Sequence, residues 1–203
     1  MKLLLGAIRK TTTCEGPGNR FAIWVQGCTL KCSGCFNPQF WGTHGGKSVT
    51  PVALFSQVKQ AKTDYPNLEG VTILGGEPFE QPTALSEFID LLGSLDLTVM
   101  VFSGYTIEEL QDESHSKFVE RQELLSRIDL LVDGRFERNQ IDNVRPWAGS
   151  TNQRFHYLTN RYSPESLFNN SRDAIEIHVL PSGIVKINGW AEVDKLELLI
   201  DSL

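Results

Sequence analysis

The sequence is poor in several things, and each shortage narrows what the protein can be. No run approaches the roughly 20 consecutive apolar residues that span a bilayer. The apolar start, Leu3 to Ile8, stops at Arg9-Lys10 and lacks the small-residue cleavage site of a secretory leader. It reads as a first β-strand, the protein as cytoplasmic, and a membrane partner is not expected. Basic residues are in deficit: 19 Lys and Arg against 25 Asp and Glu leave a formal charge of −6. Phosphate backbones require a basic face, so nucleic acid is not the expected partner. The four histidines, His44, His115, His156 and His178, are unclustered, and none is assigned a catalytic role. There is no Ser-His-Asp order, phosphate-binding glycine loop, internal repeat, low-complexity tract or long linker. What is left is an ordinary soluble composition, 40% hydrophobic and 22% charged, in 203 residues, enough for one sizeable core.

Alternation and turn signals give the organisation. Phe21–Gly27 is strand-like and ends at a glycine. A loop rich in Cys, Gly, Pro and aromatics runs to about Gly46. Thr50-Pro51 then opens a helix, with Thr50 at the N-cap and Pro51 at the first helical position, and Val52, Phe55, Val58 and Ala61 or Lys62 at helical spacing. Gly70–Leu74 is a buried strand that stops at Gly75-Gly76. Thr83–Leu95 is helical, with Leu85, Phe88, Ile89 and Leu92 on one face. Leu97–Phe102 is the next strand, Thr106-x-x-Glu109 a capping box, 116–126 a helix and Ile128–Val132 a strand. This order predicts βαβ units, an α/β fold with a parallel sheet. Ligands then sit at the carboxyl ends of the strands. The Cys loop, Gly75–Pro78, 103–105 and Asp133-Gly134 all follow such ends, so four segments are expected to meet at one edge. At the tail, Ile175–Leu180 and Ile184–Asn188 read as a β-hairpin across Pro181-Ser182-Gly183, and Asp194–Leu203 as a closing helix.

Cysteine is scarce, four residues, and three are crowded together: Cys28, Cys32 and Cys35, spaced C-x3-C-x2-C. In a cytosolic chain such crowding points to metal or redox chemistry rather than disulfides. Thiolates are the soft ligands chosen by both zinc and iron–sulfur clusters. A structural zinc wants four ligands, with Cys14 or His44 as the fourth. An electron-carrying 4Fe–4S cluster also takes four cysteines, completed by Cys14. A three-cysteine cluster leaves one iron open to a non-protein ligand, which is a catalytic feature. Unligated, buried cysteines are the fourth alternative.

Gly16-Pro17-Gly18-Asn19-Arg20, the strand ending Val25-Gln26-Gly27-Cys28, then Cys32, Gly34-Cys35-Phe36-Asn37 and Gly75-Gly76-Glu77-Pro78 together resemble the radical S-adenosylmethionine superfamily. Val132–Phe136, Trp147–Ser150 and Asn152–Arg154 are similar in order and spacing to the glycyl-radical-enzyme activases, and most of all to the activating component of anaerobic ribonucleotide reductase. The resemblance covers roughly residues 1–160 of a single domain. Two features depart from it: the tail over about 161–203, and Leu74, where the family often has threonine.

The resemblance implies a partial (βα) barrel, to which the hairpin read at the tail is a C-terminal extension, with a [4Fe-4S] cluster on Cys28, Cys32 and Cys35 and reductive cleavage of S-adenosylmethionine to a 5′-deoxyadenosyl radical. In it Gly75, Gly76, Glu77 and Pro78 would stand beside the methionine amino group, glycine letting backbone approach closely. Ser103 and Asp133 would serve the ribose or carboxylate end, and Asn37 the adenine region; ordinary turn capping remains open for these three. The implied partners are a large glycyl-radical enzyme, such as anaerobic ribonucleotide reductase, and a flavodoxin- or ferredoxin-type reductant. Arg135, Arg138, Arg145 and Arg154 with Trp147 are a candidate docking surface. A radical enzyme acting on a small molecule or peptide, and a non-catalytic iron–sulfur or zinc module, are the competing readings.

Overall fold

In a computed structural model of the protein, described over residues 1–167, 174–179 and 182–190, the chain is mixed α/β. The strands are β1 (Leu3–Thr12), β2 (Arg20–Val25), β3 (Lys47–Val49), β4 (Gly70–Gly75), β5 (Thr98–Phe102), β6 (Leu130–Asp133) and β7 (Arg154–Tyr157) in one sheet, ordered β3-β1-β2-β4-β5-β6-β7. A separate antiparallel pair, β8 (Ala174–Val179) and β9 (Val185–Trp190), is the expected tail hairpin. The expected helix at Asp194–Leu203 lies outside the described residues. The helices are α1 (Pro51–Asp64), α2 (Pro82–Leu92), α3 (Ile107–Leu110), α4 (Phe118–Leu125) and α5 (Pro164–Leu167).

β2, β4, β5 and β6 are parallel neighbours joined through helices. They are the βαβ series of a partial (βα) barrel. The sheet is not purely parallel: β1, β3 and β7 are antiparallel to their neighbours. β1 runs four residues past the expected end at Ile8, through irregularities between Leu5 and Ala7 and between Arg9 and Thr12. Bulges of this kind bend an edge strand and raise its twist.

Side-chain alternation divides the core. Phe21, Ile23, Val25, Val71, Ile73, Val99, Val101 and Leu131 point to the helix face and pack with Leu54, Val58, Ala61, Leu85, Phe88, Ile89, Leu92 and Leu124. On α1 the buried stripe is Leu54-Val58-Ala61 rather than the expected Val52-Val58 line; Val52 is 63% exposed. Thr50 Oγ1 caps this helix by accepting from Ala53 N, and both halves of the Thr106–Glu109 capping box form.

The opposite face carries Ala22, Trp24, Leu74, Met100, Leu130 and Val132. At its lower end sits Arg20, fully buried. Its Nε donates to Thr72 Oγ1 at 2.6 Å. Its two terminal nitrogens donate to the Pro17, Val71 and Thr98 carbonyls, Thr98 Oγ1 and Tyr162 Oη. Every guanidinium nitrogen is engaged, which is the condition for keeping such a group out of water.

Candidate cluster and cofactor site

The parallel strands end together, and their ends are stitched backbone to backbone. Gly76 N donates to the Val25 carbonyl at 2.7 Å and Glu77 N to the Gly27 carbonyl at 2.8 Å. Gly75 has φ +102, and a side-chain carbon there would stand 2.6 Å from the Trp24 backbone; one at Gly76 would overlap the Gly27 carbonyl. Only glycine fits at both positions. The Cys loop hangs from the same edge, with Gly27 N on the Phe40 carbonyl and Cys28 N on the Trp41 carbonyl.

Above the edge lies a cavity of about 830 Å³. Cys28, Cys32 and Cys35 share its lining with Asn37, Gly75, Gly76, Glu77 and Ser103. Backbone N–H groups face the sulfurs: those of Lys31 and Leu30 at Cys28, that of Phe136 at Cys32, and that of Asn37 at Cys35, 3.4 Å away. Burial pushes the Cys28 and Cys32 thiols up, and these amides oppose it by favouring thiolate. Amides directed at sulfur are also what tunes a bound iron–sulfur cluster. Among the described residues no three His, Cys, Asp or Glu side chains gather around a lone ion. The three thiols line one cavity, and soft donors with amide support suit a multi-iron group there.

Glu77 is almost wholly buried and joins two strand ends. Its Oε1 accepts from Phe79 N and Ser103 Oγ, both at 2.9 Å, and its Oε2 from Gly104 N at 2.8 Å. Burial raises its pKa from the usual 4.5 to about 7. Ser103 Oγ in turn accepts from Tyr105 N. Asn37 starts a short 3-10 turn, Pro38–Phe40, and its Oδ1 accepts from Gln39 Nε2 at 3.2 Å.

Two expected site residues stand apart from the lining. Pro78 is buried at the start of a 3-10 turn, Pro78–Glu80. Asp133 follows Val132, and the pleat sends it to the other face of the sheet. There it accepts from Ile107 N at 2.6 Å and from Arg154 Nη2 at 2.7 Å. His156, unclustered in sequence, has Nε2 3.0 Å from Asp133 Oδ2, though not aligned as a hydrogen bond. The supposed arginine docking surface is mostly internal ties. Arg135 pairs with Glu109, Arg145 with Asp142, and Arg154 with Glu108 and Asp133. Arg138 is exposed. Sequence reading missed the aromatic lining: Trp24, Phe40, Trp41, Phe102, Phe136 and Trp147. For Trp24 and Phe102 the signal was present, since alternation puts both on the face opposite the helices.

A family described as a 4Fe-4S single cluster domain matches residues 14–156. The chain belongs to that family, and it is a radical S-adenosylmethionine enzyme of the activase kind. It is similar to the anaerobic ribonucleoside-triphosphate reductase-activating protein of Vibrio cholerae serotype O1, 33% identical over 150 residues, which are 71% of this chain and 92% of the relative. The protein of the same name from Escherichia coli strain K12 is 26% identical over 71% of this chain and 92% of its own length. That of Enterobacteria phage T4 is 28% identical over 69% and 85%. Among solved structures, QueE from Escherichia coli aligns with TM-score 0.46 and 16% identity over 64% of this chain and 69% of that one. Among the described residues no helix is long and apolar enough to cross a membrane.

Proposed function

We propose that this chain, acting as one radical S-adenosylmethionine domain with a tail extension over about 161–203, installs a glycyl radical on an anaerobic ribonucleotide reductase. The observation that carries the reading is the shared cavity: three cysteines and the Gly75-Gly76-Glu77 turn line the same space. Cys28, Cys32 and Cys35 would hold three irons of a [4Fe-4S] cluster. When bound, the cluster and S-adenosylmethionine together supply a 5′-deoxyadenosyl radical that takes a hydrogen atom from the partner. The chain's own residues bind, align and exclude water. Glycine at 75 and 76 leaves main-chain groups bare at the strand ends, where the methionine amino group finds acceptors. Glu77 fixes the relative height of the β4 and β5 ends, since Phe79 N, Ser103 Oγ and Gly104 N already engage both of its oxygens. Ser103 and Asn37 stand at the lining for the ribose and adenine ends. The aromatic walls keep water from a reactive carbon-centred species. A flavodoxin- or ferredoxin-type protein is the reductant in this reading.

The test is anaerobic reconstitution with iron and sulfide, followed by dithionite and S-adenosylmethionine. 5′-Deoxyadenosine should form, and an electron paramagnetic resonance signal of a glycyl radical should appear on added anaerobic ribonucleotide reductase. A fully loaded cluster that binds no S-adenosylmethionine overturns the reading.

A further inference from the structure

The cavity has a wall beyond the reach of the family match. That match ends at residue 156, and 71% of this chain accounts for 92% of the Vibrio relative. Yet Ala174, Ile187, Asn188 and Gly189, all from the β8–β9 hairpin, line the same cavity as the three cysteines. The hairpin is fastened at both strands to β1 and the turn after it. From β8, Glu176 Oε1 accepts from Thr13 N at 2.7 Å and from Thr13 Oγ1 at 3.2 Å. From β9, Asn188 Nδ2 donates to Thr12 Oγ1 at 3.1 Å, and the same side chain hydrogen-bonds Glu15. A side-chain carbon at Gly189 would stand 2.9 Å from Cys14 Sγ, so β9 lies backbone-close on that thiol, which is buried.

We propose that the hairpin is a specificity wall of the reaction cavity, admitting to it an extended, glycine-bearing loop of the partner polypeptide and excluding bulkier segments. The inference rests on the activase reading above. Its physical basis is space: a cavity of about 830 Å³ must hold the cluster, S-adenosylmethionine and the reacting segment. The hairpin narrows that space with Ala174, Ile187, Asn188 and Gly189, which share the lining with the aromatic rings of Trp24 and Phe102. A main-chain segment with little side chain fits such a slot. The hydrogen-bonded ties hold the wall in place before any partner arrives, and a preformed wall lowers the ordering cost of docking.

The experiment loosens the wall without touching its lining. Thr12→Val with Glu176→Ala removes an acceptor for each strand; Glu176→Gln keeps an acceptor oxygen and serves as the conservative control, and Thr12→Val alone sets the labelling baseline for the lost bond from Cys14 N to Thr12 Oγ1. Two quantities are read on the full, cluster-loaded chain: the alkylation rate of Cys14, resolved by mass spectrometry, and the glycyl radical formed per 5′-deoxyadenosine. In the double variant Cys14 alkylation should rise about tenfold and the radical per 5′-deoxyadenosine should fall severalfold, while Glu176→Gln stays near wild type. Cys14 freed with the radical yield unchanged overturns the specificity role. Cys14 labelling unchanged in the double variant overturns the fastening. Wild-type protein that makes 5′-deoxyadenosine but never a radical on the reductase instead defeats the activase reading, and the wall's assignment with it.

Discussion

Glu77 and Ser103 hold the ends of two neighbouring parallel strands at one height: Ser103 Oγ donates to Glu77 Oε1 at 2.9 Å, and both side chains are buried. The next residue, Gly104, gives its N–H to the other carboxylate oxygen. Replacing Glu77 with glutamine turns one of these oxygens into an NH2 group facing a donor or hydroxyl. Leaving a buried donor unsatisfied costs about 1–3 kcal/mol. Glu77→Gln should lower the urea midpoint of the cluster-free chain accordingly. An unchanged midpoint would mean the bonds are dispensable.

The three thiols make a direct prediction for metal content. Changing any one of Cys28, Cys32 and Cys35 to serine replaces a soft donor with a hard, weakly acidic one. Iron and sulfide per chain should drop to a small fraction of wild type, while circular dichroism of the cluster-free chain stays the same. Retention of a full cluster in any single variant would remove that residue from the ligand set.

At Gly76 the test is steric. Alanine there would put a methyl group into the Gly27 carbonyl, a backbone atom that cannot swing away. Overpacking of this kind costs about 1–3 kcal/mol. It should also move the Cys loop, because Gly27 directly precedes Cys28. Gly76→Ala is therefore expected to lose both stability and S-adenosylmethionine affinity, read by denaturation and by equilibrium binding. Native affinity with full stability would contradict the packing described.

pH enters through Glu15, whose pKa is pushed from the usual 4.5 to about 7 by burial first and by Glu176 second. Between those values the unfolded chain has released a proton that the folded chain keeps. The unfolded state then binds fewer protons, and stability falls as pH rises through that window. Glu77, also raised to about 7 by burial, adds a fall of the same sign. Glu15→Gln should make the urea midpoint less dependent on pH between about pH 5 and about pH 7.5. The same pH dependence in both proteins would show that Glu15 is not shifted.

Arg154 crosses from β7 to Asp133 on β6, and Asp133 is completely covered. Removing the arginine leaves a buried carboxylate with the Ile107 amide as its remaining aligned donor. Arg154→Ala should cost about 1–3 kcal/mol by chemical denaturation. Its half-exposed position makes the lower end of that range the expected one.

Much of the site could be read from sequence because its parts are local. C-x3-C-x2-C and Gly-Gly-Glu-Pro carry their chemistry within a few residues, and strand patterning told which ends would meet. α2 was legible for the same reason: Leu85, Phe88, Ile89 and Leu92 are all buried as their spacing demands. What sequence did not reveal depends on pairing between distant segments. β3 and β7 are three and four residues long, too short for a period to register. Asp133 looked like a cavity residue because it ends a strand, but register alone decides its face, and a single step past Val132 turned it away. Arg135 and Arg154 read as exposed cations because their acidic partners, Glu109 and Glu108, lie more than twenty residues upstream. The hairpin was visible; that it lines the cavity was not, since nothing local says which surface it covers.

Arg20 has a kinetic consequence as well as a static one. Its guanidinium bonds reach 52 residues onward to Thr72, 78 to Thr98 and 142 to Tyr162. These closures join parts of the chain made far apart, and large sequence separations slow the search for the native topology. Until Tyr162 arrives, the cation lies on an incompletely sealed floor, so the lower barrel should lock late and in one cooperative step, after the neighbouring strands have paired.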